Sequence, residues 1–117
     1  MLESGEMYIE TIYLLKTKKE KLHAIDIANE LGYAKSSVSR ALNILKTKEF
    51  ITIAPNGEIE FTDKGSLLAQ EIYERHNVLT KFLKQIGLPE DIAETDACRI
   101  EHVISKETLL AIKNQLK

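Results

Sequence analysis

The feature that most restricts the fold is a short alternation inside a chain that otherwise reads as helix. Ile51-Thr52-Ile53-Ala54 and Glu58-Ile59-Glu60-Phe61 place apolar residues at every second position on either side of Pro55-Asn56-Gly57. Period two marks a half-buried strand, and Asn-Gly is the strongest short-range signal for a hairpin. A lone hairpin is marginal in water, so it must pack on helices. The preceding residues provide them. A short helix from His23 to Leu31 is closed by Gly32, with Ala24 a weak cap. After the turn Gly32-Tyr33-Ala34-Lys35, Ser36 or Ser37 caps a second helix that runs to about Lys48.

Val38, Ala41, Leu42 and Leu45 of that helix turn inward, and Lys35, Ser36, Ser37, Ser39, Arg40 and Asn43 are left for its outer face. Taken alone, the helix pair also suits an αα-hairpin with solvated polar residues. A two-stranded wing directly after it favours a winged helix-turn-helix, whose second helix lies in a DNA major groove. Arg40 and Asn43 carry the donors and acceptors that base edges require. At the wing tip, Asn56 and Gly57 offer backbone N–H groups to phosphate, and Glu58 beside them restricts this to light contact.

The remaining segments are helical, so the chain is mainly α. Residues 4–18 form a first helix with Ser4 as N-cap and a stripe of Tyr8, Ile12 and Leu15. Thr62 caps a long helix from Asp63 to Gln85, ending at Gly87, with Leu68, Ile72, Leu79, Phe82, Leu83 and Ile86 along one side. At about 30 Å it is longer than a winged helix needs. It therefore connects two domains, residues 1–63 and 64–117. His76 falls on its apolar side, where a single histidine is more often a hydrogen-bonded core residue than a ligand. Pro89 opens a following helix, and Ser105 caps a last one carrying Leu109, Leu110, Ile112 and Leu116. Two short helices cannot cover that much apolar surface, and a symmetric homodimer is the economical solution.

Asp96-Ala97-Cys98-Arg99-Ile100-Glu101-His102 concentrates the chemistry. On one helix Cys98, Glu101 and His102 fall at i, i+3 and i+4, so thiol, carboxylate and imidazole share a face within reach of one ion, with Glu94 a turn earlier. One helix rarely completes a metal shell, so other segments must contribute. Charge follows the same division: residues 16–48 hold eight Lys/Arg against three acids, and residues 90–101 hold five acids against Arg99. A basic segment suits an anionic polymer and an acidic one suits a cation. Cys98 as a nucleophile activated by His102 is the enzymatic alternative. No glycine-rich turn or oxyanion-hole signature accompanies it, and the chain is expected to be no enzyme. There is no apolar run of 18 residues and no N-terminal apolar h-region, so a cytoplasmic protein without membrane contact is expected.

From about Glu3 to its end the chain resembles the metal-dependent transcriptional repressors of the diphtheria toxin repressor and manganese transport regulator family. The resemblance is carried by Glu6-Met7-Tyr8-Ile9-Glu10-Thr11-Ile12-Tyr13, Ser36-Ser37-Val38-Ser39, Thr62-Asp63-Lys64-Gly65, Arg75-His76 and the 96–102 stretch. It implies a C-terminal helical domain for metal binding and dimerisation, and no SH3-like third domain. It also implies a regulatory metal site made of Met7, Cys98, Glu101 and His102. His76 matches an ancillary ligand in one branch and a direct ligand in the other, and Glu10 matches a ligand in the manganese branch alone. Two departures stand out: Thr80 replaces a carboxylate, and Glu94 replaces a histidine. A thioether with a thiolate favours Fe(II) over Mn(II), and Co(II), Ni(II) or Zn(II) can bind in vitro by the Irving-Williams order. The implied function is repression of metal-uptake genes by a homodimer on a palindromic operator in double-stranded DNA, with Mn(II) response or a winged-helix regulator blind to metal as the alternatives. No small-molecule substrate beyond the ion is implied.

Overall fold

The structure, a computed structural model, describes residues 3–117. Its contacts divide into two compact units, Met1–Ala69 and Gln70–Lys117.

The first unit opens with α1 (Glu3–Lys16), α2 (Ala24–Leu31) and α3 (Lys35–Thr47). Because α1 already includes Glu3, Ser4 lies in its first turn and is not its N-cap. Tyr8, Ile9 and Ile12 of α1, Leu22, Ile27 of α2, and Val38, Leu42 and Leu45 of α3 form the core. Gly32 ends α2 at φ 70°, and its N–H reaches the Ala28 carbonyl. That left-handed conformation is natural only for glycine or asparagine. The expected serine cap on α3 is absent. Ala34, extended at φ −63° and ψ 139°, occupies the N-cap, and Ser36 and Ser37 fall in the exposed first turn. The brevity of the Gly32-Tyr33-Ala34 turn starts the helix there, and a cap preference of about 1 kcal/mol cannot move it.

The N-cap of α2 is His23, and Ala24 is its first helical residue. The His23 N–H donates to Asp26 Oδ2 at 2.8 Å, and Lys19 Nζ reaches Asp26 Oδ1, also at 2.8 Å. The lysine hydrogen bond, helped by the His23 N–H, holds the Asp26 carboxyl below its ordinary range. A depressed carboxyl stabilises the fold above its unfolded pKa and loses that contribution as pH falls through the lower folded value. Asp26→Ala is thus expected to cost about 1 kcal/mol at neutral pH. In thermal melts the gap between variant and parent should begin to narrow below the ordinary aspartate range, about pH 4, and close only at the lower pH where the folded carboxyl protonates. An unchanged gap at acid pH would contradict the cap.

The wing is β1 (Ile51–Ile53) and β2 (Ile59–Phe61), antiparallel with Ile51 opposite Phe61 and Ile53 opposite Ile59. Ile51 and Ile59 are buried, and Thr52 and Glu60 face out. The wing is tied down as its isolation requires: Ile59 N–H donates to the Leu22 carbonyl, and Lys16 Nζ to Glu60 Oε1 and the Ile59 carbonyl. Its turn centres on Pro55-Asn56, since Gly57 N–H closes on Ala54 O at 2.8 Å and Gly57 follows at φ 87°. Proline fixes a negative φ at the first central position and Asn56 lacks the positive φ of a type II turn, so the turn is a type I turn with a left-handed glycine after it.

A knot of hydrogen bonds starts α4 (Asp63–Gln85). Thr62 Oγ1 caps it by accepting from Gly65 N–H at 3.0 Å and donates to Glu49 O at 2.6 Å. Lys64 Nζ donates to Lys48 O at 3.0 Å and sits 4.4 Å from the Phe50 ring centre. The end of α3 and the start of α4 are thereby fastened within the first unit.

The second unit contains the rest of α4, α5 (Glu90–Ile100) and α6 (Lys106–Gln115). Ile72, Val78 and Leu79 of α4 and Ala93 and Ala97 of α5 are buried. Ser105 caps α6 as expected, its Oγ accepting from Thr108 N–H. No residue of α6 is buried, and Leu110 is 58% exposed. Ile86, expected to face inward, is 60% exposed because α4 ends just before it. Val103 and Ile92 are exposed as well.

Candidate functional site

Glu101 is the centre of the second unit's chemistry. It is a carboxylate at 0% exposure, which is costly unless it is paired. Its environment comes from two helices. On α4, His76 Nδ1 lies 2.9 Å from Glu101 Oε2, and Arg75 Nη1 donates to the Glu101 carbonyl at 2.7 Å. On the other side His102 Nε2 is 3.3 Å from Glu101 Oε1, but the pair lacks hydrogen-bond alignment, and Oε1 accepts no hydrogen bond among the described residues.

The expectation that Cys98, Glu101 and His102 share one helix requires correction. Helix α5 stops at Ile100; Glu101 is its C-cap and His102 belongs to the turn that follows. Glu101 keeps helical angles, φ −59° and ψ −24°, so the path is prolonged and the three side chains still converge. One donor atom from each of Cys98, Glu101 and His102 lies within 4.8 Å of the others. Cys98 is exposed, and with His76, Glu94, Thr95 and Arg99 it lines an open groove beside the cluster. Glu94 is exposed, one turn from Cys98 on α5.

A thiol, a carboxylate and an imidazole within a few ångströms form a donor set for a divalent transition-metal ion. The open oxygen of a fully buried carboxylate fits a cation and does not fit an apolar core. In the first unit α1 holds Met7 and Glu10 at i and i+3, both half-buried. Arg75 enters the sequence only as part of the Arg75-His76 motif, without a role; its contact with Glu101 follows from the end of α5 at Ile100, whose carbonyls need donors and which residue spacing does not show.

The candidate DNA face lies in the first unit. Lys35, Ser36, Ser37, Arg40 and Asn43 of α3 are exposed and Ser39 is partly so. A groove of about 420 Å³ is lined by Lys35, Ser39 and Asn43 of α3, His23 at the start of α2, and Ile53 and Gly57 of the wing. The wing tip is less available than expected. The Asn56 side chain is turned onto Glu58, donating to its Oε1 and accepting from its N–H, and Gly57 N–H is used in the turn.

A winged helix in one unit and a thiol, carboxylate and imidazole cluster in the other define a DNA-binding protein with the means to hold a cation. Comparison with known proteins is specific on this point. Residues 1–59 match the family model "Iron dependent repressor, N-terminal DNA binding domain", and residues 62–117 match "Iron dependent repressor, metal binding and dimerisation domain". The chain belongs to this iron-dependent repressor family, and its homologues include regulators named for manganese and for iron.

The transcriptional regulator MntR of Escherichia coli O6:H1 is 35% identical over 106 residues, 91% of this chain and 68% of that protein. The iron-dependent repressor IdeR of Mycobacterium tuberculosis H37Rv is 30% identical over 108 residues, 92% of this chain and 47% of that protein. Among solved structures, a manganese-dependent transcriptional repressor in complex with manganese matches with a TM-score of 0.85 at 22% identity, over 95% of this chain and 51% of that one. At that identity the likeness speaks for the fold. No helix among the described residues is long and apolar enough to cross a membrane.

Proposed function

We propose that this chain is a repressor that binds a palindromic operator as a homodimer when loaded with Fe(II), and that it controls genes of metal uptake. The observation that carries the reading is Glu101, fully buried, with an oxygen that accepts no hydrogen bond and thiol and imidazole donors beside it. Residues 1–63 read DNA, and residues 64–117 hold the ion and dimerise through the apolar surface around Ile86, Ile92, Val103 and Leu110.

Cys98, Glu101 and His102 are the principal ligands in this reading. Met7 and Glu10 join them from α1, and His76 and Glu94 stand at the margin. When bound, a divalent ion would supply charge that offsets the acids of residues 90–101. Met7 and Cys98 would offer the ion sulfur donors, which favour Fe(II). Lys35, Ser36, Ser37, Ser39, Arg40 and Asn43 meet the major groove, and Asn56 reaches the backbone once it gives up its hydrogen bonds to Glu58. The protein works in the cytoplasm, and Cys98 serves as a ligand and performs no catalysis.

A response to Mn(II) is the second reading. It is favoured by the carboxylates Glu10 and Glu94 and by the identity shared with MntR. Anaerobic gel shifts on operator DNA test both. Binding is expected to collapse in chelator and to return with Fe(II) at lower free-ion concentration than with Mn(II). The reverse order would favour Mn(II), and equal binding with and without metal would end the proposal.

A further inference from the structure

We propose that Arg75 is a positioning residue for the metal site: its guanidinium holds the backbone carbonyl of Glu101 and thereby the turn that presents Glu101 and His102. The inference rests on the metal reading above and extends it to a side chain that ligates nothing.

The end of α5 falls within the donor cluster, because Ile100 is its last helical residue and Glu101 its C-cap. Helix ends leave carbonyls without intrahelical partners and fray unless something holds them. At Glu101 that hold is the Arg75 Nη1 hydrogen bond of 2.7 Å, a charge-assisted contact from another helix. The next residue of α4, His76, meets Oε2 of the same glutamate at 2.9 Å. Consecutive residues of α4 therefore grip Glu101 at its main chain and at its carboxylate. With the Glu101 carbonyl fixed, the peptide leading into His102 is fixed as well, and Nε2 of that imidazole stays 3.3 Å from Oε1.

Charge alone predicts the opposite outcome. A guanidinium repels a neighbouring cation, so if Arg75 acted only through its charge, its removal would tighten metal binding. If it positions Glu101 and His102, its removal loosens metal binding. The two accounts differ in sign.

The test is Co(II) titration of the full chain, read by the thiolate-to-cobalt charge-transfer band and the d–d spectrum, for the parent, Arg75→Met and Arg75→Lys. Outer residues that orient metal ligands typically govern affinity by 10- to 100-fold, so Arg75→Met is expected to raise the Co(II) Kd by about that factor. Arg75→Lys, which keeps a charged donor, is expected to recover most of the loss with a parent-like d–d spectrum. Circular dichroism without metal checks folding. Arg75→Gln, too short to span the contact, is expected to lose affinity likewise and replaces Arg75→Met if that variant fails to fold. Parent-like or tighter binding by the Met or Gln variant overturns the proposal, as does a lysine variant no better than methionine. A parent protein that binds no Co(II) overturns the metal reading itself, which is a different result.

Discussion

Glu101→Gln is expected to remove the metal response while leaving the metal-free fold intact or firmer. The amide keeps the shape of the side chain and can still meet His76, but it carries no charge and is a poor ligand. The loss in metal affinity should exceed the 10- to 100-fold typical of residues that only orient ligands. Stability should move the other way. A carboxylate at 0% exposure with one oxygen accepting no hydrogen bond is an expensive core group, and a neutral amide relieves that expense. Calorimetric titration with Co(II), together with melts in chelator, separates the two effects. A much lower metal-free Tm with unchanged metal affinity would mean that Glu101 is structural.

Gly65→Ala is expected to be the most damaging single methyl in the first unit. A Cβ at Gly65 would lie 1.9 Å from the Phe50 carbonyl oxygen and 2.8 Å from its carbon, a clash with backbone that no rotamer change can relieve. The surrounding knot gives the backbone little freedom to move. Thr62 and Lys64 hold the carbonyls of Glu49 and Lys48, and Thr62 N–H holds that of Phe50. The cost should reach about 3 kcal/mol or more, the upper end for overpacking. For a chain of this size that is a fall in Tm of roughly 10 °C. A change of under about 2 °C would show that the two segments separate easily.

The signals that could be read in advance were local ones. Gly32, Gly57 and Gly87 each punctuate an element with positive φ, and the Thr62 and Ser105 hydroxyls cap the helices they precede. The alternation around Pro55-Asn56-Gly57 marks the wing, whereas its register is seen only in the structure. Long-range packing escaped. Ser36 and Ser37 are good cap residues, yet the turn length set the start of α3 at Ala34. Asn56 reads as an exposed wing-tip donor, but Glu58 occupies it. At the metal centre, spacing brought Cys98, Glu101 and His102 together and could not show that the helix stops at Ile100. It also could not show that a glutamate in an acidic stretch is fully buried. That burial depends on Arg75 and His76, some 25 residues earlier, which sequence spacing cannot relate to it.

In the proposed function one ion and one operator act on the same equilibrium, and linkage makes this measurable in both directions. Whatever factor the metal adds to operator affinity, the operator must add to metal affinity. Fe(II) affinity, measured anaerobically for the free protein and for the protein saturated with operator DNA, should therefore tighten by the factor that separates operator binding in Fe(II) from binding in chelator, on the order of 5- to 150-fold for a coupling of this kind. Two equal factors well above one are expected, both lost in Glu101→Gln. Fe(II) affinity that is the same with and without DNA would contradict the proposed function.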